Sequence, residues 1–187
     1  DRMTKIRVGI DIGSDGAIAI FSDGQLVKYA KLPKVADEPD MRGMTEILLT
    51  YPLEDIHILM EDLHSVFGAG AASNFTFGVN NGLVVGALQA LQLPYSKIQA
   101  KKWQKIAWEG IRPVEKAVMK KIKGQPAFHE KNKKGELKYK TDTKSTSLIA
   151  AKRIFPKETF LATERSSVPH NGIIDAALIG WVCARMY

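Results

Sequence analysis

Cysteine occurs once, as Cys183, so no disulfide can close within the chain and a reducing compartment is its default setting. No apolar run approaches the roughly 20 residues a membrane-spanning helix needs, because Lys, Asn, Gln or Pro interrupts each one early. The start lacks the long apolar segment of a secretory leader, and Met3 preceded by Asp1 and Arg2 has the look of a processed end. Internal repeats and low-complexity tracts are also missing. Together these absences predict a soluble, non-secreted, non-membrane protein.

Acidic residues are scarce in one place. Between Arg112 and Lys140 the chain carries ten Lys/Arg against Glu115, Glu130 and Glu136, which accounts for the whole net charge of +7 and leaves the other segments near neutral. A basic segment on a neutral body points to a polyanion, most often nucleic acid, or else to a solvated, partly disordered insertion that binds nothing in particular. The 187 residues suffice for one domain with a full core and are too few for two comfortable ones. The expected organisation is one domain over 1–187 with a basic insertion at about 112–140.

What the sequence does have begins at Ile6, with IRVGIDIGSDGAIAIF. An alternating apolar run, a glycine turn and a second apolar run predict two strands, and Ser22-Asp23-Gly24 adds a hairpin signal before Gln25 to Leu32. The opening is therefore a three-stranded antiparallel meander. Pro33 to Pro39 reads as a loop and Met44 to Tyr51 as one or two helical turns. Ile56 to Met60 (IHILM) fits a strand buried on both faces, and Leu93 to Ile98 another short strand. Helices are expected over Ser73 to Leu91, Ala100 to Trp108, Thr143 to Phe155 and Pro169 to Tyr187. Gly78, Gly82 and Gly86 recur every fourth residue, which allows a second helix or a dimer partner to approach closely, or simply close packing on the sheet. Trp103 and Trp108 read as helix-packing aromatics.

Three acids stand out against apolar surroundings. Asp11 lies on the first strand, Glu61 ends the fourth and Asp175 interrupts the last helix. A lone carboxylate in an apolar strand is costly to bury unless it is paired or meets a cation, although Asp11 could also serve only to hold the amides of its glycine turn. Carboxylates from separate elements converge only around something cationic, and hard oxygen donors suit Mg²⁺ or Mn²⁺.

The blocks GIDIGSDGAIAIF, LMEDLHSVF followed by SNFTFGVNNGLVVGAL, KSTSLIAAKRIFP and HNGIIDAALIGW, in that order, resemble the RuvC-type Holliday junction resolvases of the ribonuclease H-like nucleases, most closely the phage and organellar members. They span nearly the whole chain apart from the insertion. The resemblance implies an α/β, ribonuclease H-like fold, a mixed five-stranded sheet flanked by helices. It implies a magnesium-dependent endonuclease acting on four-way DNA junctions as a homodimer, with the helix from Ser73 to Leu91 as the dimer surface. It also implies a setting in the bacterial cytoplasm, for a phage product, or in an organellar nucleoid.

The same resemblance implies that Asp11, Glu61, Asp175 and position 171 hold two Mg²⁺ ions, replaceable by Mn²⁺, about 4 Å apart across the scissile phosphate. Residues 171 and 175 lie four apart, on one helix face. Position 171 is Asn where the pattern HDGxxDA calls for Asp, so the site loses one negative charge. An introduced Asp-to-Asn change that holds substrate uncut would explain this, as would a natural variant or a different ligand such as Asp62. Lys144 corresponds to a lysine near the phosphate, or is an exposed helix-start lysine. Phe67 corresponds to the aromatic that enters the junction centre, or caps the helix after it. Lys131, Lys133 and Lys134 become phosphate contacts. The rival readings are an actin-like or sugar-kinase ATPase, a non-cleaving junction-binding protein, and a ribonuclease H-like nuclease acting on RNA-DNA hybrids.

Overall fold

The computed structural model describes residues 4–62 and 70–187. The meander forms as expected: β1 (Ile6–Asp11), β2 (Ala17–Ser22) and β3 (Gln25–Lys31) pair antiparallel. Asp23 and Gly24 both take positive φ, 47° and 82°, the mirror-image turn that matches the right-handed twist of a hairpin. A second small hairpin, β4 (Lys34–Val35) and β5 (Glu38–Pro39), lies where the sequence suggests a plain loop. Its turn is made by Ala36 and Asp37, also at positive φ. Alanine is not a residue that announces such a turn.

After α1 (Met41–Leu48), β6 (Ile56–Glu61) joins the other side of β1, now parallel. Helix α2 (Ala71–Ala90) crosses over to β7 (Tyr95–Ile98), parallel to β6, and α3 (Ala100–Ala107) follows. The sheet order is β3-β2-β1-β6-β7, so β1 and its parallel neighbour β6 are interior strands.

Alternation along β1 sorts its two faces. Ile6, Val8 and Ile10 point into a core shared with Met44 and Leu48 of α1 and Val84 and Leu88 of α2. Gly9 lies on the opposite face, under α5 (Asn171–Met186), against which α4 (Thr143–Ile154) packs in turn. The core on that side holds Phe21, Leu59, Trp103, Phe160 and most of α5. From Gly172 to Cys183 nearly every residue of α5 is buried, as expected of a helix apolar on all sides. It lies so close to β1 that a methyl group at Gly9 would stand 2.1 Å from the Ala176 carbonyl oxygen. Glycine at 9 is therefore a packing requirement.

The basic insertion, which the sequence leaves open between a polyanion-binding segment and a partly disordered one, forms a β arm between α3 and α4. It comprises β8 (Glu115–Ala117), β9 (Met119–Lys120), β10 (Phe128–His129) and β11 (Tyr139–Thr141). β8 pairs with β11 and β9 with β10, both antiparallel. A side hairpin over 131–137, bridged between Lys131 and Leu137, interrupts the returning strand. Asn132 organises its turn, its side-chain oxygen accepting from the Lys134 and Glu136 amides. The helix boundaries expected from sequence shift by at most three residues, most visibly at α1, which begins at Met41 rather than Met44.

The glycines of α2 do not pack on the sheet. Among the described residues, Gly78, Gly82 and Gly86 have no heavy atom within 4 Å of where a β-carbon would sit, so the sheet-packing alternative is wrong. They lie in an exposed stripe with Phe75, Val79 and Leu83, while only Val84 and Leu88 of this helix are fully buried.

Candidate active site

Asp11 and Glu61 occupy the carboxyl ends of the two central parallel strands, where the ladder pairs Ile10 with Met60 just before them. Both acids fall on the face that carries α5, two residues beyond Gly9 and Leu59 respectively. The β1–β2 loop is drawn onto the start of α5 by Gly172, where a β-carbon would meet the Asp15 carbonyl oxygen at 2.3 Å and an Asp11 carboxylate oxygen at 3.3 Å. An open cleft of about 400 Å³ results. Asp11, Gly13, Ser14, Lys144, Asn171 and Asp175 are among its lining residues.

The electrostatics of the cleft are those of crowded carboxylates. Burial pushes the Asp11 carboxyl up to about 6, further helped by the Glu61 and Asp15 charges and opposed by the Gly13 amide, which donates to Asp11 Oδ1 at 3.0 Å. Burial likewise raises Asp175 to about 7, with the Asp11 and Glu61 charges adding to the rise. The buried Ser147 hydroxyl of α4 hydrogen-bonds Asp175, and Lys144 pulls in the same stabilising direction. Glu61 is also raised by burial, while the Trp103 indole donates to its Oε2 at 2.9 Å. Three acids from three elements thus sense one another across a shared space.

A hard divalent cation suits this donor set, which is all oxygen and carries repulsion that a cation relieves. Among the described residues no three acidic, histidine or cysteine side chains form a ready-made metal cage. Mg²⁺ is commonly held by one or two carboxylates together with substrate phosphate oxygens and water rather than by an all-protein cage.

Lys144, the second residue of α4, is exposed and lines the cleft. Asn171, the first residue of α5, is exposed one turn before Asp175. Phe67 lies outside the described residues. Lys131, Lys133 and Lys134 sit on the arm's side hairpin, apart from the cleft residues.

Four supporting groups escape a reading of the sequence. Trp103 and Ser147 act through long-range contacts that no local pattern encodes. The other two form a clasp: His170 accepts from the Ile173 amide through Nδ1 at 3.2 Å and donates from Nε2 to Asp15 at 2.7 Å. Asp15 also meets Lys31 Nζ at 2.8 Å, and these two partners hold its carboxyl below the ordinary range. His170 is therefore at once the N-cap of α5 and the fastener of the β1–β2 loop. Its position immediately before residue 171 was the available signal.

Comparison with solved structures places the fold. A structure of Thermus thermophilus RuvC in complex with a Holliday junction substrate matches with a TM-score of 0.55 and 15% identity over 95% of this chain and 90% of that one. A second structure of Thermus thermophilus RuvC matches with a TM-score of 0.53 and 15% identity, over 94% and 91%. The chain has a RuvC-like, ribonuclease H-like fold. No protein-family model matches the sequence, and no curated protein matches it either.

Proposed function

We propose that this protein is a metal-dependent endonuclease that resolves four-way DNA junctions by symmetric phosphodiester hydrolysis. The observation that carries the reading is that Asp11 and Asp175 line one cleft and both feel the charge of Glu61 beside it, each of the three carboxyls being raised by burial and two of them by the charge of a neighbouring acid. The RuvC-like fold supports the junction as substrate.

Asp11, Glu61 and Asp175, with the side-chain oxygen of Asn171, would hold two Mg²⁺ or Mn²⁺ ions. When bound, such ions polarise the phosphodiester and lower the pKa of a coordinated water. The chain's own groups do the positioning: Trp103 fixes the Glu61 carboxylate, Ser147 fixes that of Asp175, and the Gly13 amide fixes that of Asp11. The Lys144 ammonium at the cleft lip offsets phosphate charge.

A twofold substrate calls for a twofold protein. The α2 stripe of Phe75, Val79 and Leu83 beside three uncovered glycines supplies a surface on which a second copy could pack closely. Asn171 favours one second reading, a protein that binds junctions without cutting them, since its amide is neutral where the resolvase pattern has a carboxylate.

A labelled four-way junction incubated with Mg²⁺ decides between these. Asn171→Asp should produce paired nicks across the junction, the present sequence should cut at least about 10-fold more slowly, and Asp175→Asn in the Asn171→Asp background should abolish cutting. Tight junction binding without cleavage by Asn171→Asp would establish the binding protein, and preferential cutting of an RNA-DNA hybrid would replace the substrate.

A further inference from the structure

The arm has two chemically different faces. Residue 118 bonds on a single edge: its amide donates to the Lys138 carbonyl at 2.8 Å, and its carbonyl accepts from the Glu130 amide at 2.8 Å. The outgoing strand 115–120 therefore continues without a break, while the returning strand is split by the side hairpin, closed at its base by the Lys138 amide on the Glu130 carbonyl at 2.9 Å. Alternation along an unbroken strand puts Lys116, Val118 and Lys120 on one face. Directly paired residues share a face, which adds Lys140 opposite Lys116 and Phe128 opposite Lys120. The other face takes Glu115, Ala117 and Met119 with Thr141, Tyr139 and His129, and holds no lysine.

Side-chain contacts agree with that register. The Glu130 carboxylate holds Lys138 Nζ at 2.6 Å and also feels the charge of Lys120, so both lysines lie on its side. Lys116 Nζ reaches Asp142 at 3.0 Å. Asp142 caps α4, whose Lys144 lines the cleft, and Val114 ties the arm's stem there by bonding both Thr146 and Asp142. The lysine-bearing face is thus the one turned toward the start of α4, the helix whose Lys144 lines the cleft.

We propose that this face, Lys120 and Lys140 with Phe128 among them, is a track for a nucleic-acid strand leaving the cleft, and that the Phe128 ring stacks on an unpaired base. The inference rests on the nuclease reading above and names the part of the substrate the arm takes. An exposed aromatic among lysines meets both of its needs in one partner, since a strand offers phosphates to the ammonium groups and a π-face to the ring. Phe128 is 41% exposed and stands directly opposite Lys120. Tyr139, 59% exposed on the opposite face, plays no part.

The test is binding of a four-way junction and of a single strand, each carrying 2-aminopurine, to the full chain in Ca²⁺. Phe128→Ala should weaken both about 10-fold and reduce the 2-aminopurine response, and Phe128→Trp should restore both. Lys120→Gln with Lys140→Gln should flatten the salt dependence, while Tyr139→Ala stays within about twofold of the parent. Weakening by Tyr139→Ala with Phe128→Ala unaffected would overturn the face assignment, and indifference to both would remove stacking from the arm. A parent that prefers junctions no more than duplex, with single-strand binding still sensitive to Phe128→Ala, would sink the junction reading and leave this one standing.

Discussion

Asp175 is the residue whose surroundings are least suited to its charge. It sits in an otherwise buried helix, near Asp11 and Glu61, with only the Ser147 hydroxyl and the Lys144 charge in its favour. In metal-free protein, carboxyls raised to about 6 and about 7 keep protons that the unfolded chain releases near 4. Between those limits the native state binds more protons than the unfolded one, so stability falls as pH rises and the loss is complete above about 7. A tenfold difference in proton affinity between the two states is worth about 1.4 kcal/mol, before solvent relaxation reduces it. Asp15 works in the opposite sense, but it is mostly exposed and contributes little. Thermal unfolding in EDTA should therefore show a melting temperature that declines from pH 5 to 8. Asp175→Asn should flatten the decline and stabilise the metal-free protein by roughly 1–2 kcal/mol at pH 8. Parallel pH profiles for the two proteins would mean that Asp175 is not strained by its neighbours. The same substitution should remove most of any stabilisation that Mg²⁺ gives the parent, because a ligand stabilises only the state that binds it.

At the scale of elements, two sets of glycines look alike in the sequence and do opposite things. Gly9 and Gly180 let α5 lie directly on β1; a β-carbon at Gly180 would stand 2.6 Å from the Phe21 ring. Gly78, Gly82 and Gly86 have nothing against them among the described residues. Gly9→Ala should cost about 3 kcal/mol, the upper end for overpacking, because its obstacle is backbone that cannot rotate away. Gly82→Ala should instead stabilise the monomer by up to about 1 kcal/mol, through helix propensity alone. Gly82→Leu should leave the fold intact and weaken self-association. Chemical denaturation measures the first two and sedimentation velocity the third. A Gly82→Leu protein with an unchanged sedimentation profile would take α2 out of the dimer surface. The glycine spacing was visible in the sequence, but whether it faced the sheet or solvent was not, because α2 is nearly as apolar outside as inside.

At the scale of the whole molecule, the legible parts were those where one residue breaks a local pattern. Asp11 interrupts an alternating strand, Glu61 ends an apolar run and Asp175 interrupts an apolar helix, and the sheet order then brings two of them side by side. Illegible were groups whose role depends on distant partners, namely Trp103, Ser147 and the clasp of Lys31, Asp15 and His170. The arm was legible only as charge: its strands are two or three residues long, too short for alternation to emerge from a lysine-rich background. Its strand pairing changes what the charge does. Lys116 and Lys138 are engaged by Asp142 and Glu130, whereas Lys131, Lys133 and Lys134 of the side hairpin have no salt bridge among the described residues. Three such lysines docked on phosphates would displace about three counterions, and log affinity should fall with log salt accordingly. Deleting 131–134 should lower that slope by roughly 2 to 3, while Lys116→Gln, whose charge is already spent on the α4 cap, should change it by less than about 1. Measuring junction affinity by fluorescence anisotropy from 50 to 300 mM KCl tests both at once. An unaltered slope on deletion would mean that the side hairpin points away from the DNA. A large change with Lys116→Gln would mean that binding breaks the Asp142 contact and frees the arm's stem from α4.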